Sequence, residues 1–178
     1  PATAASFRAM IARRLAFEPV SRILGAREFY GRAFKVTPDV LDPRPDTETI
    51  IDLALPLMNA SSRILDLGTG SGIIVITLLA ETPEATGVAV DLSSAALVVA
   101  KSNAVRLGVA SRLTCVAGNW FEPVDGRFDL ILSNPPYIPS ADIAGLEPDV
   151  RHYDPHLALV GGRDGLGPYR TIAAGAAA

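Results

Sequence analysis

The chain has 178 residues, 49% of them apolar and 20% charged, with a formal net charge of −3. That is enough for one folded core, or for one domain and part of another. The balance lacks the basic footprint of nucleic-acid binders, and no run of about 18 apolar residues predicts a membrane span. The single cysteine, Cys115, excludes an internal disulfide framework and a cysteine-based metal cluster.

Taken in chain order, "SFRAMIARRLA" (residues 6–16) spaces Phe7, Met10, Ile11 and Leu15 along one helical face, with arginines opposite. "REFYGRAFKVT" predicts a β-hairpin turning at Gly31. Phe29 and Tyr30 are expected to pack that hairpin. A proline-stiffened approach, "LDPRPDTETIIDLALPLM", leads into a helix expected to be capped by Asp46 or Thr47, with Arg44 and Asp46 bracing the join.

From residue 63 the pattern alternates strand and helix. "RILDL" predicts a strand, "SGIIVITLLAE" a helix, "TGVAV" a strand, and "SSAALVVAKSNAVRL" a helix stopped by Gly108. "RLTCV" and "FDLIL" supply two more strands, and Cys115 is expected to act there as a small core residue. The fold class implied is α/β, a mostly parallel sheet flanked by helices. Past residue 133 no strand of that quality follows, and a parallel sheet buries both faces. The chain opens at Pro1 and stops at "IAAGAAA" inside what reads as a helix, so a longer protein is expected. Pro155 separates His152 from His156 and argues against a helical metal pair.

Two motifs carry chemistry. "LDLGTGSG" places Gly68, Gly70 and Gly72 directly after the first strand of the alternating series. In open α/β sheets, ligands bind beyond the carboxyl ends of the strands, and glycine lets the backbone come close. Asp91 ends the next strand, where a carboxylate can accept from the vicinal hydroxyls of a ribose. The glycines run G-x-G-x-G, with Ile73 where a dinucleotide fingerprint places its third glycine, which argues against a nicotinamide enzyme.

The second motif is "SNPPY" (133–137), which ends a core strand in a double-proline kink. The Asn134 side-chain oxygen and the Pro135 carbonyl can each accept one N–H of a planar NH2 group, and a stacked Tyr137 ring can fix its plane. Rigid prolines place those acceptors in advance, so that an otherwise poorly nucleophilic amide nitrogen is aimed at an electrophile.

These residues resemble an S-adenosylmethionine-dependent methyltransferase acting on a planar NH2 group. "EPVSRILGAREFYGRAFKVTPDVLDPRPDTE" and "DVRHYDPHLALVGGRDGL" narrow the resemblance to the protein-(glutamine-N5) methyltransferases of peptide-chain release factors, the HemK/PrmC type. The resemblance implies a Rossmann-like class I methyltransferase domain over 46–178 with its C-terminal part missing. Ahead of it would come the end of an N-terminal helical domain (1–18) and a β-hairpin linker (19–45). It implies S-adenosylmethionine as methyl donor, S-adenosylhomocysteine as product, and the glutamine of the Gly-Gly-Gln loop of release factors as acceptor.

Carried over by position, Gly68, Thr69, Gly70, Ser71 and Gly72 line the methionine and ribose end of the cofactor, and Asp91 binds its ribose. Asn119 and Trp120 flank the adenine. Asn134 is shared between cofactor and substrate, and Asn134, Pro135, Pro136 and Tyr137 hold the glutamine, with Asn134, Pro135 and Tyr137 catalytic. No metal, no membrane and no direct nucleic-acid binding is expected, and the location is cytoplasmic. Two residues depart from the family pattern. Asp42 replaces an aliphatic residue and is expected at the surface or paired with Arg44. Asn119 stands where aspartate is common and would accept from the adenine amino group without charge. The rival readings are N5-methylation of a ribosomal protein's glutamine, N6-methylation of adenine, and a cofactor-binding module without turnover.

Overall fold

The computed structural model describes residues 3–176. Residues 1, 2, 177 and 178, which the outer domain boundaries expected above include, lie outside that range. Helices α1 (Ala4–Leu15) and α2 (Val20–Leu24) come first, followed by a hairpin of β1 (Ala26–Phe29) and β2 (Arg32–Lys35). Its two-residue turn has both central residues at positive φ, Tyr30 at 48° and Gly31 at 69°. That is the turn whose twist suits a tight hairpin. Phe29 meets Phe34 edge to face with centroids 6.1 Å apart.

After α3 (Glu48–Ala54) the chain runs β3 (Arg63–Leu67), α4 (Ile73–Glu81), β4 (Thr86–Asp91), α5 (Ser94–Arg106), β5 (Leu113–Ala117) and β6 (Leu130–Ser133). All strand pairs in this sheet are parallel, in the order β5-β4-β3-β6. Successive strands therefore step outward on one side of β3, and β6 then returns to its other side. That reversal opens a crevice at the carboxyl end of β3.

Side chains of β3 alternate between faces. Ile64 joins Phe29, Phe34, Ile51 and most of α4 in the larger core, while Leu65 and Leu67 join Val90, Trp120, Phe121 and Ile131 on the opposite face. Helix α4 is apolar on all sides and buried from Ile73 to Leu79, as a helix sandwiched between sheet and neighbours requires. Leu107 closes α5, and Gly108 follows at φ 73° in the left-handed stop position expected for it. Beyond β6 the chain forms α6 (Pro148–Tyr153) and α7 (Gly167–Gly175), and Ile172 of α7 covers the second face.

Two expectations need correction, those for the cap of α3 and for Cys115. Thr47 precedes α3 with its backbone already helical, and neither it nor Asp46 makes a side-chain cap. A short 3-10 turn over Pro45–Thr47 feeds directly into the helix and removes the need for one. The apolar face of α1 forms but is not buried: Phe7, Ile11 and Leu15 are exposed, and nothing among the described residues covers them. Cys115 is half-buried, because β5 lies at a sheet edge.

Replacing Leu79, fully buried in α4, by alanine is expected to cost about 2–5 kcal/mol. Replacing Val98 on the exposed face of α5 is expected to change stability by less than about 0.5 kcal/mol. Urea unfolding of the two variants checks this contrast, and equal losses would contradict the assigned core.

Candidate active site

Two cavities meet at the carboxyl end of the sheet. The first, about 520 Å³, is bordered by Gly68, Thr69, Gly70 and Ser71 after β3, by Asp91 after β4, and by Gly118, Asn119 and Trp120 after β5. The second, about 600 Å³, is bordered by Tyr137, Ile138, Ile50, Leu146, Val150 and Leu159. Leu41, Arg44, Thr47, Asn134 and Ala158 border both.

The glycine loop is fixed by the strand beside it. Gly68 and Thr69 donate their amides to the Val90 carbonyl at 2.9 and 3.0 Å. Gly70 donates to one oxygen of Asp91 and Ser93 to the other, each at 2.8 Å. Asp91 is therefore locked by backbone amides at the rim of the cavity, and each oxygen keeps a lone pair for a further donor. Ser93 serves as the cap of α5, accepting from the Ala96 amide at 3.2 Å. Gly72 does not border the cavity. A Cβ there would lie 2.5 Å from Ile76 Cδ1 and 3.3 Å from the Ala100 methyl, so its missing side chain lets α4 and α5 close up.

Trp120 adopts φ 50°, a left-handed conformation that bulky residues rarely take. The strain holds its ring against the glycine loop, within 3.8 Å of where a Gly68 Cβ would stand. Asn119 donates its amide nitrogen to Glu122 at 2.9 Å. Its side-chain oxygen is thereby left as the acceptor.

Register brings the second motif beside the first. Leu67 pairs with Ser133, whose hydroxyl donates to the Leu67 carbonyl at 2.6 Å. Asn134 follows at once, its amide nitrogen 3.5 Å from Thr47 Oγ1. Pro136 borders the first cavity and Tyr137, 58% exposed, the second. Pro135 is buried and borders neither. Among the described residues its carbonyl accepts no hydrogen bond.

The sequence reading did not anticipate the segment that clamps this corner. Ile138 donates to the Leu159 carbonyl at 3.0 Å, Gly161 to Ile138 at 2.9 Å, and Ser140 to Gly162 at 2.9 Å. A Cβ on Gly165 would collide with the Tyr137 carbonyl and one on Gly161 with the Pro136 carbonyl and Tyr137 Cα, so these two glycines of "VGGRDG" admit the Pro-Pro-Tyr backbone. The paired glycines in that string were the available signal.

Other side chains emerge only in three dimensions. Asp154, 1% exposed, accepts from Arg22 at 2.9 Å, from Arg44 at 2.8 Å and from the Asp42 amide at 3.1 Å. Arg22 also donates to the Val40 carbonyl. Asp42 is buried rather than at the surface, and Arg44 pairs with Asp154 instead of Asp42. The brace for the hairpin comes from Glu48, which accepts from the Tyr30 amide at 2.7 Å, not from Asp46. Asn103, fully buried in α5, bonds both the amide and carbonyl of Lys35 and the Ser71 carbonyl, tying the hairpin to the glycine loop.

Asp66 is the buried acid of β3. Burial pushes its carboxyl up to about 6, against the opposing pull of the Thr69 hydroxyl at 2.6 Å. A single acid between leucines in "RILDL" was its visible sign. Burial likewise raises the Cys115 thiol. Among the described residues no three His, Cys, Asp or Glu converge on a metal site, and no helix is long and apolar enough to cross a membrane.

The family model described as methyltransferase small domain matches residues 46–145. The release factor glutamine methyltransferase of Cereibacter sphaeroides is 56% identical over 178 residues, which cover 100% of this chain and 63% of that protein. The protein of the same name from Agrobacterium fabrum is 51% identical, over 97% of this chain and 62% of its own. The chain thus spans somewhat under two thirds of the length of these relatives. The hMettl16 catalytic domain, solved in complex with MAT2A 3′UTR hairpin 6, superposes with a TM-score of 0.67 at 16% identity, covering 82% of this chain and 56% of that one. That likeness speaks for the fold alone.

The raised Asp66 carboxyl predicts a signed pH dependence. An unfolded aspartate loses its proton near pH 3.9, the folded one near 6, so between these values the folded state holds the extra proton. The cost of the buried charge is absent below the first value and complete above the second. Going from pH 4 to 7, the wild-type chain should therefore lose about 2 kcal/mol of stability relative to Asp66→Asn. Denaturant unfolding of both at the two pH values tests this, and a constant difference would contradict it.

Proposed function

We propose, from the premise that the chain belongs to the methyltransferase small domain family, that it methylates the side-chain amide nitrogen of a glutamine in a protein. The methyl donor is S-adenosylmethionine. The acceptor is the glutamine in the Gly-Gly-Gln motif of peptide-chain release factors, the substrate class in the names of relatives about half identical to this chain. The observation that carries the reading is the position of Asn134, on the wall shared by the two cavities. One cavity has the residues for a nucleoside, and the other opens to the surface beside Tyr137.

The first cavity suits the cofactor on this chain's own features. Its volume lies in the range of small-molecule sites. The backbone at Gly70 is open, with nothing within 4 Å of a Cβ position, so a ligand can approach the main chain. Asp91 offers free acceptor capacity for ribose hydroxyls, the Trp120 ring a stacking surface for adenine, and the Asn119 oxygen an acceptor for its amino group. When bound, S-adenosylmethionine supplies an electrophilic methyl group on a sulfonium.

The chain's part is positioning. Asn134 Oδ1 and the Pro135 carbonyl each accept one N–H of the glutamine carboxamide, which aims its lone pair and favours the charging nitrogen. Pro135 and Pro136 fix those acceptors before the substrate arrives, so little ordering remains. Tyr137 stacks on the carboxamide plane. The nitrogen gains a methyl group and loses a proton to water, with no strong base required. Release factors act on ribosomes, so the proposed location is the cytoplasm, with no nucleic acid bound directly.

Incubating the full-length protein with labelled S-adenosylmethionine and a release factor tests the reading. Label is expected on the glutamine amide. Label on a ribosomal protein or on adenine instead, or cofactor binding without transfer, would contradict it. In the same assay Asn134→Ala should lower the rate by about 100-fold or more while leaving the melting temperature near that of the wild type. An unchanged rate would remove Asn134 from the chemistry.

A further inference from the structure

Among the described residues Arg44 is the one arginine that borders both cavities. It sits between Pro43 and Pro45, and the following proline keeps its backbone extended, at φ −98° and ψ 137°. Among the described residues its guanidinium bonds Asp154 alone, through Nη2 at 2.8 Å. Its side chain remains 41% exposed. The other N–H donors make no hydrogen bond among the described residues, at a position that lines both cavities.

Asp154 is held in its turn. Arg22, with a side chain 3% exposed, donates to the carboxylate oxygen that does not bond Arg44, and the Asp42 amide donates to that same oxygen. Arg22, Arg44, Asp42 and Asp154 carry two formal charges of each sign, so the group offers hydrogen-bond donors without a net charge. With that balance, and with the Asp46 carboxylate also lining the second cavity, a neutral oxygen acceptor is favoured over a free anion. The second cavity is otherwise walled mainly by aliphatic and proline side chains, Leu41, Pro45, Ile50, Ile138, Leu146 and Val150 among them. An apolar groove with a rigid fork of donors at one end suits the carbonyls of a peptide segment.

We propose that Arg44 reads the main-chain carbonyls flanking the target glutamine, and that Asp154, backed by Arg22, is the positioning residue that holds its guanidinium in place. The assignment rests on the proposed protein-glutamine activity and deepens it. It places recognition of the polypeptide at Arg44, apart from the amide chemistry at Asn134. A nucleobase substrate would not need it.

The test uses the full-length protein and a purified release factor, with initial rates for KM and kcat and calorimetry for binding in the presence of S-adenosylhomocysteine. Arg44→Ala should raise both KM and Kd for the release factor by about tenfold or more, with kcat and the cofactor Kd within about threefold of wild type. Asp154→Asn should raise the release-factor KM by a similar factor, and the double variant should be no worse than Arg44→Ala alone, because both remove one device. If Asp154→Asn does not fold, Arg44→Lys carries the test. Lysine keeps the charge but not the fork, so its KM should still rise at least about fivefold. A wild-type KM in Arg44→Ala or Arg44→Lys would overturn the assignment, as would a cofactor Kd that weakens as much as the release-factor Kd. A wild-type protein that leaves the release factor unmethylated would sink the parent reading as well, which separates the two failures.

Discussion

Parallel pairing of β3 with β6, closed by the Ser133 hydroxyl on the Leu67 carbonyl, is the constraint on which the site depends. Both motifs are loops, and loops drift unless something fixes their roots. Here the last residue of one strand is hydrogen-bonded to the last residue of the other. The Gly68–Ser71 turn and the Asn134–Tyr137 corner therefore leave the sheet side by side. A one-residue slip of β6 would turn its side chains to the wrong face and carry the corner away from the glycine loop. Burial of Leu65, Leu67 and Ile131 on one face specifies the register.

Rigidity is supplied from both sides of the corner. Consecutive prolines restrict the backbone from within. The 159–165 segment binds it from outside with main-chain hydrogen bonds and two glycines that permit close approach. Thr47 lies at the other flank, and the buried Arg22–Asp154 pair, joined by the partly exposed Arg44, ties α2 to the segment before α3 and to the end of α6. Tyr153 adds a bond to the Ala16 carbonyl at 2.8 Å. Removing one partner of such a buried charge set leaves another uncompensated and typically costs about 3–5 kcal/mol.

Features that depend on neighbouring residues were legible in the sequence. The alternation of "RILDL", "TGVAV", "RLTCV" and "FDLIL" with two helical runs gave a parallel sheet, the Tyr30–Gly31 pair gave a hairpin, and Gly108 gave a helix end. The glycine loop, Asp91 and Asn134 stood out for the same reason, since each lies at or directly after the end of a strand, whereas Trp120 was singled out only through the family resemblance. Long-range pairings were not. Asp42 is buried, and its amide donates to Asp154, 112 residues later. Gly72 faces α5 instead of the cavity, which depends on how closely two helices pack. Glu48 and Asn103 stabilise the hairpin from elements that no local pattern links to it. Capping logic failed at Thr47 because a 3-10 turn supplied the continuity that a cap would have provided.

The central claim is that a proline corner, held by strand register and by a glycine-rich clamp, presents the Asn134 oxygen at the wall between two cavities, with the Pro135 carbonyl next to it in the chain, to a flat carboxamide. A crystal structure of the full-length protein with S-adenosylhomocysteine and a glutamine-containing peptide tests it most directly. The account predicts the sulfur and the carboxamide nitrogen on either side of Asn134, with both N–H groups within about 3.2 Å of Asn134 Oδ1 and the Pro135 carbonyl. A carboxamide bound elsewhere, or those two oxygens turned away from it, would contradict the account.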